Sequence, residues 1–476
     1  MHVPTSTEFK QNARTAIGQA GLQKALANSR PQFMARRANA VGNLPEFEAL
    51  RDIARDIKNH TLANLDFYLE TFARNVEAAG GVVHWCSTAD EARATVLSIC
   101  QQANARTVTK GKSMISEELA INDHLEEHGI TPVETDLGEY IIQLRHELPS
   151  HIIAPAFHLN REDWEDQFRK SHTDLPVDRV FSERRDILTE ARGILREKFL
   201  AADVGITGAN FLVAETGSSV IVTNEGNGDL TQTLPRVHIA LASIEKMVPT
   251  LEDACSLLRV LARSATGQEF SVYTTFSTGA RRPADLDGPE EYHVVLVDNG
   301  RTAMLGTEFQ DMLRCIRCAA CMNHCPVYGT IGGHAYGWVY PGPMGSVLTP
   351  SLIGVDQSAH LPNASTFCGK CESVCPVKIP LPKLMRHWRE REFERHLTPQ
   401  GIRTNLALWG WFAQRPIMYR LATRLAAKFL GILGRRRGRF TRLPFASGWT
   451  DGRDLPAPEG DTFFARYAKA QRAKEI

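Results

Sequence analysis

Seven of the ten cysteines lie in two short runs, and their spacing constrains this chain more than any other feature of the sequence. The first run reads C-x2-C-x2-C-x3-C-P from Cys315 to Pro326, and the second reads C-x2-C-x3-C-P from Cys368 to Pro376. Ser365 stands where the second run would have its first cysteine. Inside a cell, such a cluster binds metal or takes part in catalysis far more often than it forms disulfides.

The spacing of the first run is that of bacterial ferredoxins, in which the fourth cysteine of each run binds the other of two [4Fe–4S] clusters. The sequence therefore predicts two clusters with crossed ligation. The predicted ligands are Cys315, Cys318, Cys321 and Cys375 for the first cluster and Cys325, Cys368 and Cys371 for the second. The fourth position of the second cluster is left to Ser365, water, another group or a missing iron. Structural zinc is the alternative, but two C-P endings and three cysteines at x2 spacing do not suit a four-ligand zinc site.

The other three cysteines are predicted to bind no metal. Cys86, Cys100 and Cys255 are scattered through the first part of the chain, in or beside apolar runs. Free cysteine commonly behaves as a small buried hydrophobic residue, which is the prediction here.

Strand-like and helix-like runs alternate between about residues 80 and 300, after a mostly helical segment over 9–80. This alternation predicts an α/β domain with a largely parallel sheet. Strands are predicted at 82–85, 107–109, 131–135, 211–214, 218–223, 238–242, 269–276 and 293–297, and the clearest helices at 88–102, 116–128 and 182–202. Three domains are expected: an α/β domain over 1–305, a small two-cluster ferredoxin-like domain over 306–395 and a basic amphipathic region over 396–476. The middle domain is too small for a large core of its own, so metal–ligand bonds are expected to order it.

Charge is balanced overall but is concentrated at the C-terminal end. The chain carries 55 basic and 54 acidic residues, whereas residues 401–476 hold 15 Lys or Arg against 5 Asp or Glu, a net charge of +10. The overall balance argues against a general nucleic-acid binder. Arg420 and Arg424 lie on one predicted helical face and Leu421 and Leu425 on the next, so this region could dock on a partner, on a membrane surface or on the acidic remainder of the chain.

No segment has the features of a secretion signal or of a membrane span. The N-terminus lacks an apolar stretch of signal-peptide length, and the longest uncharged part of the apolar tail, 404–414, is far shorter than the ~20 residues that cross a bilayer. The sequence therefore predicts a soluble, cytoplasmic protein with no transmembrane segment.

Charged residues follow several predicted strands, where open α/β sheets bind ligands. The predicted anion or partner site consists of Lys110, Lys112, Glu134, Asp136 and Glu215. The loop 224–228 could line the same crevice. Plain strand–helix turns are the alternative, since Lys110–Ser113 lacks a complete phosphate-binding loop.

Taken together, these motifs resemble the lactate utilisation protein B family, the iron–sulfur subunit of the bacterial L-lactate oxidation system. The resemblance covers nearly the whole chain and rests on Val108–Ser113, Glu134–Glu139, Ala214–Gly217, 315–326, Cys368–Ile379 and Gly452–Pro458. It implies an N-terminal domain similar to the sugar-phosphate isomerase and CoA-transferase α/β fold, followed by a two-cluster domain. It also implies that the serine in place of the eighth cysteine is a family trait.

The resemblance further implies an electron-transfer role in oxidising L-lactate to pyruvate. Two companion proteins are expected, one rich in cysteine and one related to the N-terminal domain of this chain. The sequence has neither a G-x-G-x-x-G motif nor a flavin fingerprint, so a two-electron centre is expected on another chain. The alternatives are electron transfer for another hydroxy acid or a thiol–disulfide system, and a redox-sensing scaffold.

Overall fold

A six-stranded sheet in which every neighbouring pair is parallel organises the first of two structural units. The strand order is β1-β10-β7-β4-β2-β3. The strands are β1 (Val82–Cys86), β2 (Thr107–Lys110), β3 (Thr131–Glu134), β4 (Val204–Thr207), β7 (Val237–Ser243) and β10 (Glu291–Val297). All residues of β4 and β7 are buried, as expected for a parallel sheet covered on both faces. The predicted α/β architecture is therefore confirmed.

The structure is a computed structural model that describes residues 4–443, 449–450 and 452–473. The two units are Met1–Glu392 and Phe393–Ile476. The first unit holds the two larger sheets, the N-terminal helices and all ten cysteines, and the second holds the basic C-terminal segment over 401–476.

Helices follow most strands of the parallel sheet. They are α5 (Ala89–Gln102), α6 (Met114–Leu119), α7 (Ile121–Glu127), α8 (Leu137–Leu144), α9 (Arg161–Ser171), α10 (Arg184–Ala201), α11 (Asn227–Thr233) and α12 (Leu251–Ala265). Side chains of Thr88 and Asp136 cap α5 and α8 by accepting backbone N–H bonds. The single helix predicted over 116–128 is wrong, because Ala120 has a left-handed φ of 50° that divides α6 from α7.

A second, four-stranded sheet packs in the same unit, with the order β8-β5-β6-β9. Its strands are β5 (Phe211–Val213), β6 (Ser218–Thr223), β8 (Met247–Val248) and β9 (Tyr273–Ser277). β5 and β6 form an antiparallel hairpin across the predicted turn, where Gly217 has a φ of 68°. Neither β4 nor β8 was predicted, because β8 has only two residues and Gly205 interrupts the apolar pattern of β4. Gly205 in β4 lies so close to the Thr231 carbonyl that a Cβ atom would clash with it.

The N-terminal helices and the cysteine-rich segment share one hydrophobic core, which the sequence did not predict. The N-terminal helices are α1 (Phe9–Gly18), α2 (Ala20–Gly42), α3 (Phe47–Ala63) and α4 (Leu65–Ala78), and the later ones are α13 (Ala320–His324), α14 (Tyr328–Ile331), α15 (Gly342–Ile353), α16 (His360–Asn363), α17 (Lys370–Ser373) and α18 (Leu381–Glu394). Phe47, Leu257, Tyr328 and Ile379 all belong to the shared core. The cysteine-rich segment is therefore stabilised by packing its apolar side chains against the rest of the unit, in addition to any stabilisation by bound metal.

The second unit is a helical hairpin followed by a small strand pair. Its elements are α19 (Gln400–Ala413), α20 (Pro416–Gly434), β11 (Arg439–Phe440), β12 (Leu455–Pro456) and α21 (Phe463–Arg472). Leu421, Leu425 and Phe429 on α20 are each more than half exposed. None of the helices in the described residues combines the length and the apolar character that crossing a bilayer requires.

The three cysteines outside the two runs behave differently from one another. Cys86 and Cys100 are buried, as predicted, whereas Cys255 is exposed. The prediction for Cys255 is wrong because α12 is amphipathic and Cys255 lies on its outer face, between the buried residues Ala254 and Leu257.

Candidate functional site

The two cysteine loops follow the same backbone path. The residues on either side of Cys318, Arg317 and Ala319, have φ angles of 58° and 60°. The residues on either side of Cys368 repeat this conformation, with φ angles of 53° at Phe367 and 76° at Gly369. A short helix follows in each loop, α13 in the first and α17 in the second. Two left-handed residues within three positions curl the chain so that successive cysteines face one centre. Ser365 occupies the place in the second loop that Cys315 occupies in the first.

Four cysteine side chains gather around the first loop. Burial and the nearby Cys375 thiol raise the pKa of the Cys318 thiol. Burial, followed by the neighbouring Cys318 and Cys315 thiols, raises the pKa of Cys321 well above its usual range. Cys375 therefore lies beside the first three cysteines, although it comes at the end of the second run. Cys318, Cys321 and Cys375 are all buried, and Cys315 is half-buried.

The remaining three cysteines form a second group nearer the surface. Burial and the nearby Cys325 thiol raise the pKa of the Cys371 thiol to about 12, with a further contribution from Cys368. All three line one small cavity together with Ser365. The Ser365 hydroxyl accepts a hydrogen bond from the backbone N–H of Phe367 at 3.1 Å. Cys371 is buried, whereas Cys368 is exposed.

The donor set of both groups suits iron–sulfur clusters. All seven thiols are free. Burial raises the pKa values of five of them, so they would ionise only with a cation close by. Backbone N–H groups also point at sulfur, and the N–H of Ile379 donates to Sγ of Cys375 at 3.4 Å. Bound metal and N–H donors of this kind stabilise thiolates in iron–sulfur proteins.

Cationic side chains from the N-terminal helices surround the first group. Arg51 donates from Nε and Nη2 to the Cys375 carbonyl at 3.0 and 2.7 Å. Arg37 donates to the Val374 carbonyl at 3.0 Å. Lys58 is fully buried and donates to the Met247 carbonyl at 3.1 Å. The sequence offers no signal for these contacts, because each joins residues well over a hundred positions apart.

A buried ionic network links the parallel sheet to the first cysteine loop. Arg301, which follows β10, is completely buried and donates two hydrogen bonds to the Glu118 carboxylate, at 2.9 and 2.7 Å. Arg301 also forms an ion pair of 2.9 Å with Glu245, and Glu245 pairs with Arg317 of the loop at 3.2 Å. Tyr340 donates to Glu118 at 2.7 Å. Burial favours the neutral carboxyl at Glu245, but Arg301 and Arg317 outweigh it and lower the pKa of Glu245 to about 2.

The five residues of the predicted anion site fall into three separate places. Lys110 is buried and is held by Glu117 and Glu134, at 2.8 and 2.6 Å. Lys112 and Asp136 form a second pair at 3.4 Å, beyond the ends of β2 and β3. Glu215 lies in the β5–β6 turn and accepts a hydrogen bond from the Leu251 N–H at the start of α12. The structure thus brings Lys112 and Asp136 to a common cavity, but it leaves Lys110 neutralised in the interior and Glu215 elsewhere.

That cavity has a volume of about 610 Å³ and lies at the carboxyl ends of β2, β3, β4 and β7. Part of the loop 224–228 lines it, as the sequence suggested. Lys246 and Arg317 line it as well and were not predicted. The cavity therefore extends from the edge of the parallel sheet to the first cysteine loop.

Comparison with known proteins identifies both parts of this arrangement. Residues 69–297 match the LUD domain, and residues 311–379 match the 4Fe-4S dicluster domain. A crystal structure of a DUF162 family protein from Deinococcus radiodurans aligns with 49% of this chain and 98% of its own, at 16% identity and a TM-score of 0.26, which is too low to support an argument about the fold.

Curated relatives match the chain over nearly its whole length. Three proteins called Lactate utilization protein B are similar to it: 42% identical over 459 residues in Macrococcus caseolyticus, 44% over 460 in Shouchella clausii and 41% over 477 in Bacillus subtilis. The alignments cover 96%, 96% and 98% of this chain and 95%, 95% and 98% of those relatives. The resemblance inferred from the motifs is confirmed. The chain belongs to the lactate utilization protein B family.

Proposed function

We propose that this chain is the iron–sulfur electron-transfer subunit of a complex that oxidises L-lactate to pyruvate and so supports growth on lactate. The observation that carries the proposal is the division of seven free cysteines into an inner group of four and an outer group of three, in a family named for lactate utilisation. Each bound [4Fe–4S] cluster supplies one-electron transfer. Oxidation of a 2-hydroxy acid releases two electrons, which suits a protein with two such sites.

Each cysteine group would hold one cluster. Cys315, Cys318, Cys321 and Cys375 would hold the first, and Cys325, Cys368 and Cys371 the second. Arg37 and Arg51 offset the negative charge of the buried thiolates from outside the ligand set. The exposure of Cys368 gives the outer group access to a partner at the surface, whereas the inner group adjoins the large cavity through Arg317.

The proposal includes two companion proteins, one rich in cysteine and one related to the N-terminal domain. The second unit suits an acidic partner surface, since α20 carries Arg420, Arg424 and Lys428 beside exposed apolar side chains. An α/β domain similar to the sugar-phosphate isomerase and CoA-transferase fold would supply the binding crevice. A separate two-electron centre belongs to another chain in this proposal.

The deciding experiment follows the clusters in the assembled complex. The chain is purified without oxygen together with its companions, and the visible and electron paramagnetic resonance spectra are recorded after adding L-lactate. We expect L-lactate to reduce the clusters and D-lactate to leave them oxidised. Clusters that dithionite reduces but L-lactate does not would contradict the proposal. Reduction by a dithiol or a different hydroxy acid would favour the alternative electron-transfer roles, and clusters that remain redox-inactive in a complex that still oxidises lactate would favour a scaffold.

Ser365 offers a test of the outer group. We propose that its hydroxyl lies at the fourth position of the second cluster, because Ser365 takes the place of Cys315 in a repeated backbone path. A thiolate is a softer ligand than a hydroxyl, so Ser365→Cys is expected to shift the reduction potential or iron retention of the second cluster and leave the first unchanged. Redox titration and iron analysis measure both effects.

A variant outside this cavity controls for the added thiol. Gln357→Cys places a thiol at an exposed position that does not line the cavity of the three cysteines, and it is expected to leave the second cluster as in the wild type. If Ser365→Cys and Ser365→Ala both match the wild type in potential and iron content, Ser365 only caps the turn before Cys368, as its hydrogen bond with the Phe367 N–H allows.

A further inference from the structure

The large cavity of the first unit has the location of a ligand site. It lies beyond the carboxyl ends of four parallel strands, which is where open α/β sheets bind ligands. Its volume of about 610 Å³ is within the range of small-molecule sites. Gly208 and Gly228 line it, and a Cβ at either position would crowd the side chain of Ser113 or Ile221, so these glycines allow the wall of the cavity to pack closely. Neither of the two domain matches names a ligand for this cavity.

The charged side chains around the cavity leave one cation without a partner. Lys112 is paired with Asp136 at 3.4 Å, and Arg317 is paired with Glu245 at 3.2 Å. Within the described residues, the Lys246 ammonium forms neither a hydrogen bond nor an ion pair, although it is half-buried. The Glu245 carboxylate attracts the Lys246 ammonium, but Glu245 forms its ion pairs with Arg301 and Arg317. An anion in the cavity would give the Lys246 ammonium a direct hydrogen-bond partner.

The balance of charge points to an anion with a single negative charge. Three cations, Lys112, Lys246 and Arg317, line the cavity against two carboxylates, Asp136 and Glu225. Because Asp136 and Glu245 already pair with Lys112 and Arg317, Lys246 is the one of these three cations that has no ion pair in the described part of the chain. A monoanion matches the single charge of Lys246, whereas a dianion such as phosphate would place surplus negative charge next to Asp136 and Glu225.

The position of Lys246 relates the cavity to the inner cysteine group. Lys246 follows β7 in a short 3-10 turn and interacts electrostatically with Arg317, with the adjacent Glu245 and with Cys315. An anion on the Lys246 ammonium would therefore lie at the end of the cavity nearest the cysteines. Apolar side chains, among them Phe33, Phe157 and Trp164, also line the cavity, which suits the hydrocarbon part of an organic acid.

We propose that this cavity binds a 2-hydroxy or 2-oxo monocarboxylate, with the carboxylate on the Lys246 ammonium, so that the acid oxidised by the complex binds on this chain. The inference rests on the proposed function for the identity of the acid. The location of the site and the charge of its ligand are inferred from the residues that line the cavity.

The test measures binding of pyruvate and L-lactate to the full-length chain, loaded with its clusters under anaerobic conditions, by titration calorimetry. Lys246→Met keeps the length of the side chain and removes its charge. We expect it to weaken binding about tenfold or more, because a hydrogen bond to a charged group is lost. Lys246→Arg is expected to retain most of the affinity. Lys198→Met, at an exposed position on α10, is the matched control and is expected to bind as the wild type does.

Three further measurements make the result decisive. Iron content and Tm show whether Lys246→Met remains folded and loaded with its clusters. If it does not, the pyruvate affinity of Lys246→Arg and the rise in Tm that pyruvate causes in the wild type decide the question. Inorganic phosphate is expected to bind more weakly than pyruvate, and tighter phosphate binding would overturn the monoanion assignment. Equal pyruvate affinity in Lys246→Met and wild type would overturn the role of Lys246.

Failure of this inference can be told apart from failure of the proposed function. If the complex oxidises L-lactate but this chain binds neither acid, the substrate site lies on a companion and the inference is wrong. If this chain binds pyruvate through Lys246 but L-lactate never reduces the clusters of the complex, the site stands and the proposed function is wrong.

Discussion

Replacing Cys375 with alanine is expected to remove the cluster held by Cys315, Cys318 and Cys321, which lie 54 to 60 residues earlier in the sequence, and to spare the cluster beside Cys368. The reason is the crossed arrangement: Cys375 lies with Cys315 and Cys318, whereas Cys371, four residues earlier, lies with Cys325. Iron and acid-labile sulfide are expected to fall by about half. Electron paramagnetic resonance of the reduced protein identifies which cluster remains.

Cys325→Ala is the matched variant for this prediction. It removes the corresponding cysteine of the first run, directly before Pro326, and is expected to damage the outer cluster instead. Spectra in which Cys375→Ala loses the outer cluster and Cys325→Ala the inner one would show that each run holds its own cluster. The crossed assignment would then be wrong.

Replacing Arg301 with methionine is expected to destabilise the first unit by about 3–5 kcal/mol, because it leaves buried carboxylates without their counter-charge. Arg301 and Glu118 are both fully buried at their side chains, and Glu245 is nearly so. Methionine preserves much of the apolar length of the side chain, so the decrease in the free energy of unfolding reflects mainly the missing positive charge. Denaturant unfolding of the loaded protein, followed by circular dichroism, measures the change in the free energy of unfolding.

Two comparisons separate the charge effect from a general loss of packing. Arg282→Met removes an ion pair with Asp285 in which the arginine is mostly exposed, and it is expected to leave the free energy of unfolding nearly unchanged, because solvent screens exposed pairs. Glu118→Gln in the Arg301→Met background is expected to recover part of the lost stability, since it removes one of the unpaired carboxylates. A loss for Arg301→Met as small as that for Arg282→Met would show that the network contributes little.

The network also explains how the cysteine loop is positioned. Arg317 lies within the first run and is connected through Glu245 and Arg301 to Glu118 on α6. The guanidinium of Arg317 also lies over the Tyr340 ring, 4.9 Å from its centroid. Loss of Arg301 is therefore expected to affect the inner cysteine group as well as global stability.

Much of the chain could be predicted because the relevant signals are local. The spacing of the two cysteine runs limits where the thiols can reach, and the repeated left-handed residues around Cys318 and Cys368 follow from that spacing. The alternation of apolar runs predicted most of the parallel sheet, since the period of a strand or helix is visible within about ten residues. The two-residue strand β8, the strand β4 with its internal Gly205 and the helix break at Ala120 carry too little pattern to be detected.

The sequence by itself determined the cysteine-rich motif, the α/β class of the first unit and the family. Only the tertiary structure decided that the cysteine-rich segment shares its core with the N-terminal helices, that Lys110 is neutralised while Lys246 is not, and that Glu215 lies apart from the cavity. The physical reason is range. Backbone periodicity and ligand spacing act over a few residues, whereas burial and charge pairing depend on which distant segments the folded chain brings within a few ångströms.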